Sequence, residues 1–280
     1  MKRIPRLGTI VFVAVACAVY LPQLAPAGAA FFAHLVPAQA LLLASAVAKL
    51  VCIVFGVAYG FRVVRVLERS NPARRPWAML VAWLALWAFS QLTLMVYEVF
   101  LGPHIPVPSV ADVGFLVGFV FLFWAQIAFI VVYRRSGFPI GSARQHALLA
   151  AAALAVVTFV SYPILAPIAR DRAPGVSLVA HAINVAYPAL DLLAVVPAVV
   201  LLRIALAFRP GRVWAVWSAL VTGLVLMAVG DFISTYVWPR DASPLEPAIH
   251  LTYLLGYYFA ALGMKLQHEL VATPSGAPSR

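Results

Sequence analysis

Eight stretches of this chain are each apolar for about the 20 residues that a helix needs to cross a hydrocarbon core. They run over 8–26, 37–61, 77–101, 112–133, 146–168, 178–207, 213–238 and 248–265. A chain so divided has few ways to fold in water. Hydrophobic residues make up 64% of it and charged residues 10%, against about 25% charged in a soluble domain. The mean hydropathy is +0.98. These values exclude a soluble globular enzyme, a disordered chain and a disulfide-stapled secreted domain. The expected fold is all-α: a polytopic membrane bundle of eight transmembrane helices.

The net charge of +11 is not the footprint of a nucleic-acid-binding face, because the bases do not gather on one solvated surface. They fall in small groups between the apolar runs, and the groups alternate. Lys2, Arg3 and Arg6 precede the first span, and Arg62, Arg65, Arg69, Arg74 and Arg75 follow the second. Arg134, Arg135 and Arg144 follow the fourth; Arg203, Arg209 and Arg212 surround the sixth connection; Lys265 and Arg280 close the chain. On the other side stand Arg170, Arg172 and Arg240, and Lys49 lies within a span. The bias places both termini in the cytoplasm of a bacterial-type inner membrane. Trp77, Trp214 and Trp217 at inner helix ends and Trp238 at an outer one fit interfacial belts.

Residues 1–29 also read as a signal peptide, with a basic start, an apolar run and Ala27-Gly28-Ala29 as a small-residue cleavage site. Cleavage there would leave seven helices. Residues 1–265 form a single transmembrane domain, and 266–280 form a short polar tail expected to be disordered. The chain has no P-loop, no glycine-rich dinucleotide turn and no nucleophile elbow, so no catalytic residue is assigned. Cys17 and Cys52 lie in apolar segments and read as small buried hydrophobes.

The fourth and eighth spans resemble one another. Asp112, Phe115, Leu116, Gly118 and Phe119 match His250, Tyr253, Leu254, Gly256 and Tyr257 at equal offsets, after Pro108 and Pro247. The sixth span carries Pro188 then Asp191, and the second Pro37 then Gln39. The pattern suggests repeated helical hairpins. Helix-start chemistry explains part of it, since proline suits a first turn and an acid there complements the dipole. It does not explain Asp191, about a dozen residues into its span.

Ionisable groups inside spans are costly and tend to face a bundle interior or a wet cavity. On the expected topology Glu98, Asp112, Asp231, His181 and His250 fall in the outer half, and Asp191 and Lys49 nearer the midplane. His181, Asn184, Pro188 and Asp191 follow helical spacing, as do Gln91 with Glu98, Asp231 with Ser234 and Thr235, Ser45 with Lys49, and His250 with Tyr253 and Tyr257. These stripes are expected to converge on a pocket open to the outside. The plainer alternative makes them interhelical glue, with Lys49 paired to Asp191 or Asp231. Gly56-x-x-x-Gly60 and Gly114-x-x-x-Gly118 read as close-packing sites. No cofactor motif is present. The residues that would serve one are His181 and His250, as haem ligands or as metal ligands with Glu98 or Asp112, or Lys49 as a Schiff-base lysine.

Pro108-Ser109-Val110-Ala111-Asp112-Val-Gly-Phe115-Leu116, Tyr187-Pro188-Ala-Leu-Asp191-Leu-Leu and Gly230-Asp231-Phe resemble motifs of the multi-helix membrane sensor regions that precede bacterial diguanylate cyclase or histidine kinase domains. The likeness covers residues 77–265. It implies a protein that senses a small ligand and signals to a cytoplasmic or membrane partner, with Asp112, Asp191 and Asp231 as motif residues. With no output domain after the last helix, the expectation is either a detached sensor with a partner protein or the same scaffold doing another job. The other expectations are a transporter of a small solute or ion using Asp191, Asp231 and Lys49, and a haem- or metal-binding membrane protein. The partners expected are the lipid bilayer, a signalling protein and a small ligand, with no nucleic acid.

Overall fold

A computed structural model describes residues 4–101, 106–137, 141–172, 175–237 and 244–272. Every regular element among them is helical: α1 Ile4–Tyr20, α2 Pro26–Leu35, α3 Ala38–Val66, α4 Arg74–Leu101, α5 Val110–Arg135, α6 Ala143–Arg170, α7 Leu178–Leu206, α8 Arg212–Val237 and α9 Glu246–Ala272, with a 3-10 turn at Pro22–Leu24. His104, Trp238, Arg240, Asp241 and Arg280 lie outside the described residues.

Among the described residues seven segments are long and apolar enough to cross a membrane: Leu7–Leu24, and those of α3 to α8. α9 is as long as these but is not among them. Its His250, Thr252, Tyr253, Tyr257 and Tyr258 make it more polar, and it buries Leu254, Leu255, Tyr257, Ala260 and Met264 against other helices.

Two expected boundaries differ. The first apolar run does not stay helical to residue 26. Pro22 and Pro26 lack the amide hydrogens that would continue the ladder, so the chain turns after Tyr20 and a ten-residue helix, α2, occupies what was expected to be largely loop. At the far end α9 runs on through residues 266–272, the first half of the expected tail. An i,i+4 pair between Lys265 and Glu269 at 3.8 Å supports that extension; residues 273–280 lie outside the described residues.

Serine caps start several helices. Ser142 Oγ accepts from Gln145 N at 3.2 Å, and Ser177 Oγ from Ala180 N at 3.1 Å. At α5 the Asp112 carboxylate accepts from both the Ser109 amide, at 2.6 Å, and the Ser109 hydroxyl, at 2.9 Å. The helix-start reading of Asp112 therefore holds as far as it goes.

The helices do not pack in simple chain order. α3, α4 and α5 lie side by side, α5 then contacts α7 instead of α6, and α7, α8 and α9 lead back to α3. Six helices thus close a ring whose order repeats, three and three: α3–α4–α5, then α7–α8–α9. The corresponding members have similar lengths, 29 and 29, 28 and 26, 26 and 27 residues. α6 lies outside the ring against α7, and α1 outside it against α9. There Phe12 stacks on Tyr258 at 4.1 Å, and the Tyr258 hydroxyl donates to Thr9 Oγ1 at 2.8 Å. Of the expected hairpins α4–α5, α6–α7 and α8–α9 pack as pairs, whereas α1 packs on α9 in place of α3.

Small residues set the spacing. A Cβ on Gly223 would stand 2.8 Å from the Gly256 carbonyl oxygen, and one on Gly256 2.5 Å from Met227 Cγ, so α8 and α9 touch through backbone. Gly56 and Gly60 admit Leu84, Val81 and Met264, and Gly114 and Gly118 admit Ser90 and Trp87, the close-packing role expected of both motifs. Ser90 Oγ donates to the Ala111 carbonyl at 2.8 Å and Trp87 Nε1 to the Phe115 carbonyl at 3.1 Å, stitching α4 to α5.

Aromatic side chains fill the ring at the end where α3–α4, α5–α6 and α7–α8 connect. Trp77 of α4 meets Phe129 of α5 at 5.1 Å and Trp217 of α8 at 6.3 Å. Phe129 meets Trp217 at 5.0 Å, and Trp217 Nε1 donates to the Tyr133 hydroxyl at 2.9 Å. α4 and α8 are not ring neighbours, so these contacts cross the interior. Higher up, Trp87 of α4 meets Tyr257 of α9 at 6.1 Å, again across the ring.

A candidate functional site of three carboxyl groups

The end of the ring away from that aromatic layer is polar. Asp191, one turn after Tyr187 on α7, is only 2% exposed. Its carboxyl group adjoins that of Asp231 on α8, close enough for the two to interact. No amide or hydroxyl hydrogen reaches Asp191 Oδ2. Asp231 Oδ1 accepts from the Tyr253 hydroxyl of α9 at 2.6 Å. Gly230 lets that ring lie close to α8, since a Cβ there would stand 3.0 Å from Tyr253 Cε1.

Asp112 joins the same network through α7. The Tyr187 hydroxyl donates to Asp112 Oδ1 at 2.6 Å and lies within electrostatic reach of Asp231 and Tyr257. Tyr253 and Tyr257 stack one turn apart at 6.4 Å. Of the three aspartates named from short motifs, Asp191 and Asp231 thus adjoin, and Asp112 stands one tyrosine away through Tyr187. Among the described residues, no Lys, Arg or His side chain hydrogen-bonds or pairs with any of the three.

Lys49 belongs to a second cluster. The expected pairing with Asp191 or Asp231 is not what forms: Lys49 Nζ lies 3.4 Å from His250 Nδ1, with Glu98 of α4 within electrostatic reach. His250 Nε2 is 3.9 Å from Glu246 Oε1, and the Tyr20 ring lies 6.4 Å from the imidazole. The Ser45 hydroxyl lies near that of Tyr20. Helix α9 is the wall the two clusters share: His250 looks toward α3, Tyr253 and Tyr257 toward α7 and α8.

The remaining candidates scatter. His181 turns outward, its Nε2 3.2 Å from the Ala169 carbonyl at the end of α6. The stripe His181, Asn184, Pro188, Asp191 therefore does not act as one face: His181 meets the end of α6 while Asp191 adjoins Asp231 of α8. Asn184 is half-buried a turn before Pro188. Gln91 is buried on α4, one turn beyond Trp87. Thr235 Oγ1 donates to the backbone carbonyl of Asp231, not to its carboxylate. His181 and His250, the candidate haem or metal ligands, face different helices, and no group of three His, Cys, Asp or Glu suited to a metal occurs among the described residues. Tyr187 was not among the expected site residues although it lies in a quoted motif. Its place one turn before Asp191 was the available signal.

No protein-family model, no curated protein and no solved structure matches this chain.

Proposed function

We propose that this multi-pass membrane protein is a receptor-like sensor. Its responsive element is the Asp112–Tyr187–Asp231–Asp191–Tyr253 network, and its ligand is a proton or a small donor-rich cation. Three carboxyl groups and neighbouring tyrosine hydroxyls, with no basic side chain bound to them among the described residues, complement a proton donor or a positive charge. The observation that carries the reading is the layout of the ring interior, polar at one end and packed with Trp77, Phe129 and Trp217 at the other. A ligand has something to bind but no open path onward, while a change at the network can shift α7 against α5 and α8. The resemblance to membrane sensor regions agrees with this. A partner would read the shift at the arginine-bearing end.

In the same reading α9 is an eighth span. Its length and its place in the ring support that, with its polar residues turned to other helices. Eight spans and the basic bias put both termini in the cytoplasm of a bacterial-type inner membrane.

A transporter is the second reading, favoured by the three-and-three order of the ring, since transporters are often built from such internal repeats. Asp191→Asn decides between them. In proteoliposomes the sensor reading expects a change of protease accessibility at the connections of the basic end when pH or cation concentration is stepped, lost in the variant, with no flux in either protein. Proton or cation flux abolished by the substitution would establish the transporter instead.

A further inference from the structure

At the opposite end of the bundle from the carboxyl network, the α3–α4 connection and the last turns of α5 enclose a groove of about 540 Å³. Arg69, Arg75 and Arg135 stand around its mouth, and Met79, Trp124 and Val131 form its floor. All three arginines are exposed, and among the described residues none has a carboxylate oxygen within 4.0 Å. Their neighbours are engaged elsewhere. Arg74 Nε donates to the Val64 carbonyl at 3.2 Å, Arg62 lies over the Tyr59 ring at 5.3 Å and Arg65 over Phe61 at 4.3 Å. Glu68 Oε2 accepts from Ser70 Oγ at 3.3 Å.

The mouth is held in shape. Asn71 N donates to the Glu68 carbonyl at 3.0 Å, Arg74 N to the Asn71 carbonyl at 3.1 Å, and Ala73 N to Asn71 Oδ1 at 2.9 Å. Below it the surface becomes wholly apolar. Trp124 lies eleven residues before Arg135 on α5, about 16 Å deeper along the helix, and is 59% exposed. A free phosphate would occupy the mouth and leave this floor bare. A protein segment would have to enter at a depth where the flanks of α5 face lipid.

We propose that the groove binds an anionic phospholipid, its phosphate among Arg69, Arg75 and Arg135 and an acyl chain along Met79, Trp124 and Val131. Guanidinium groups match phosphate oxygens in paired hydrogen bonds. Basic pockets at the ends of transmembrane helices are suited to such headgroups. The site is separate from the carboxyl network and stands whether that network senses or transports.

Lipid titration of the intact chain in neutral detergent, read by native mass spectrometry, tests the proposal. Phosphatidylglycerol should bind in preference to phosphatidylcholine. Arg75→Gln and Arg135→Gln should each weaken it about fivefold, and Trp124→Ala should weaken it while leaving any effect of inorganic phosphate unchanged. Arg65→Gln removes the same charge from a guanidinium already seated on Phe61, and should change binding less than twofold. Three results would overturn the proposal: equal loss in Arg65→Gln, equal binding of phosphatidylcholine, or inorganic phosphate displacing the lipid at equal concentration. Arg75 and Arg135 lie on different helices, so if one variant does not fold the other still gives the answer.

Discussion

Asp112 and His250 hold equivalent places in the two halves of the ring. Each lies in the first two turns of the third helix of its half, and each meets a side chain on the helix that closes a joint: Tyr187 of α7 at 2.6 Å, Lys49 of α3 at 3.4 Å. The match between the two segments visible in the sequence therefore corresponds to a shared structural duty. The partners differ in chemistry, an acid with a phenol at one joint and an imidazole with an ammonium group at the other, so the two joints can respond to different things.

Tyr187→Phe and Asp112→Asn should each destabilise the protein, and the double variant should lose less than the sum. Interhelical hydrogen bonds in membranes contribute about 0.6 kcal/mol on average and about 1.7 at most, and this short bond to a carboxylate belongs toward the upper figure. A double-mutant cycle on unfolding in mixed micelles measures it; a coupling of zero would show that the α5–α7 joint does not depend on this pair.

Lys49→Met should be worse tolerated alone than together with Glu98→Gln. Removing the ammonium group leaves the Glu98 carboxylate, whose Oε2 has no hydrogen-bond donor, without its nearest counter-charge. Neighbouring groups of this kind couple by about 0.5–3 kcal/mol. Thermal midpoints of the two variants in one detergent provide the comparison, and an additive result would remove Glu98 from the cluster.

Gly223→Ala should destabilise by about 1–3 kcal/mol, because the new methyl group meets the Gly256 carbonyl and the Ala260 amide, both backbone. Gly8→Ala, inside α1 with nothing within 4 Å of the added carbon, should range from neutral to a gain of about 1 kcal/mol. A gain in both would mean that helix propensity, which favours alanine over glycine, and not the α8–α9 approach, governs Gly223.

Cysteines placed at Ser70 and Gly175, in a background with Cys17 and Cys52 replaced by alanine, should react with a membrane-impermeant maleimide from opposite sides of the membrane. Reaction of both from one side would break the alternation on which the eight-span topology rests.

The lengths of α3 to α8 were legible in the sequence to within about five residues, because uninterrupted apolar runs bounded by arginine and serine leave little freedom, whereas α9 runs on past its expected end at residue 265. α2 was not legible, since two prolines inside an apolar stretch look from composition like one span with a loose end. Asp112, Asp191, Asp231 and Tyr253 were expected in one pocket together with Lys49, Glu98, His181 and His250. The partition of that set was not foreseen. Periodicity tells which residues share a helix face but not which helix that face meets, and nothing local announces that α5 sits beside α7 with α6 left outside. That single placement decides why Tyr187 reaches Asp112 and why Lys49, foreseen as a partner of the aspartates, turns to His250.

The closed ring also has a consequence in time. Asp112 and Tyr187 are separated by 75 residues, and Lys49 and His250 by 201. A chain emerging from the ribosome inserts α3, α4 and α5 while the partner of Asp112 is still unmade, and Lys49 enters the bilayer well before His250 exists. Until α9 arrives, α3 and α8 expose the surfaces that it will cover, and two charged side chains wait without their partners in the membrane. Assembly is therefore decided late, and a nascent protein stalled before α9 presents quality-control proteases with an unfinished seam.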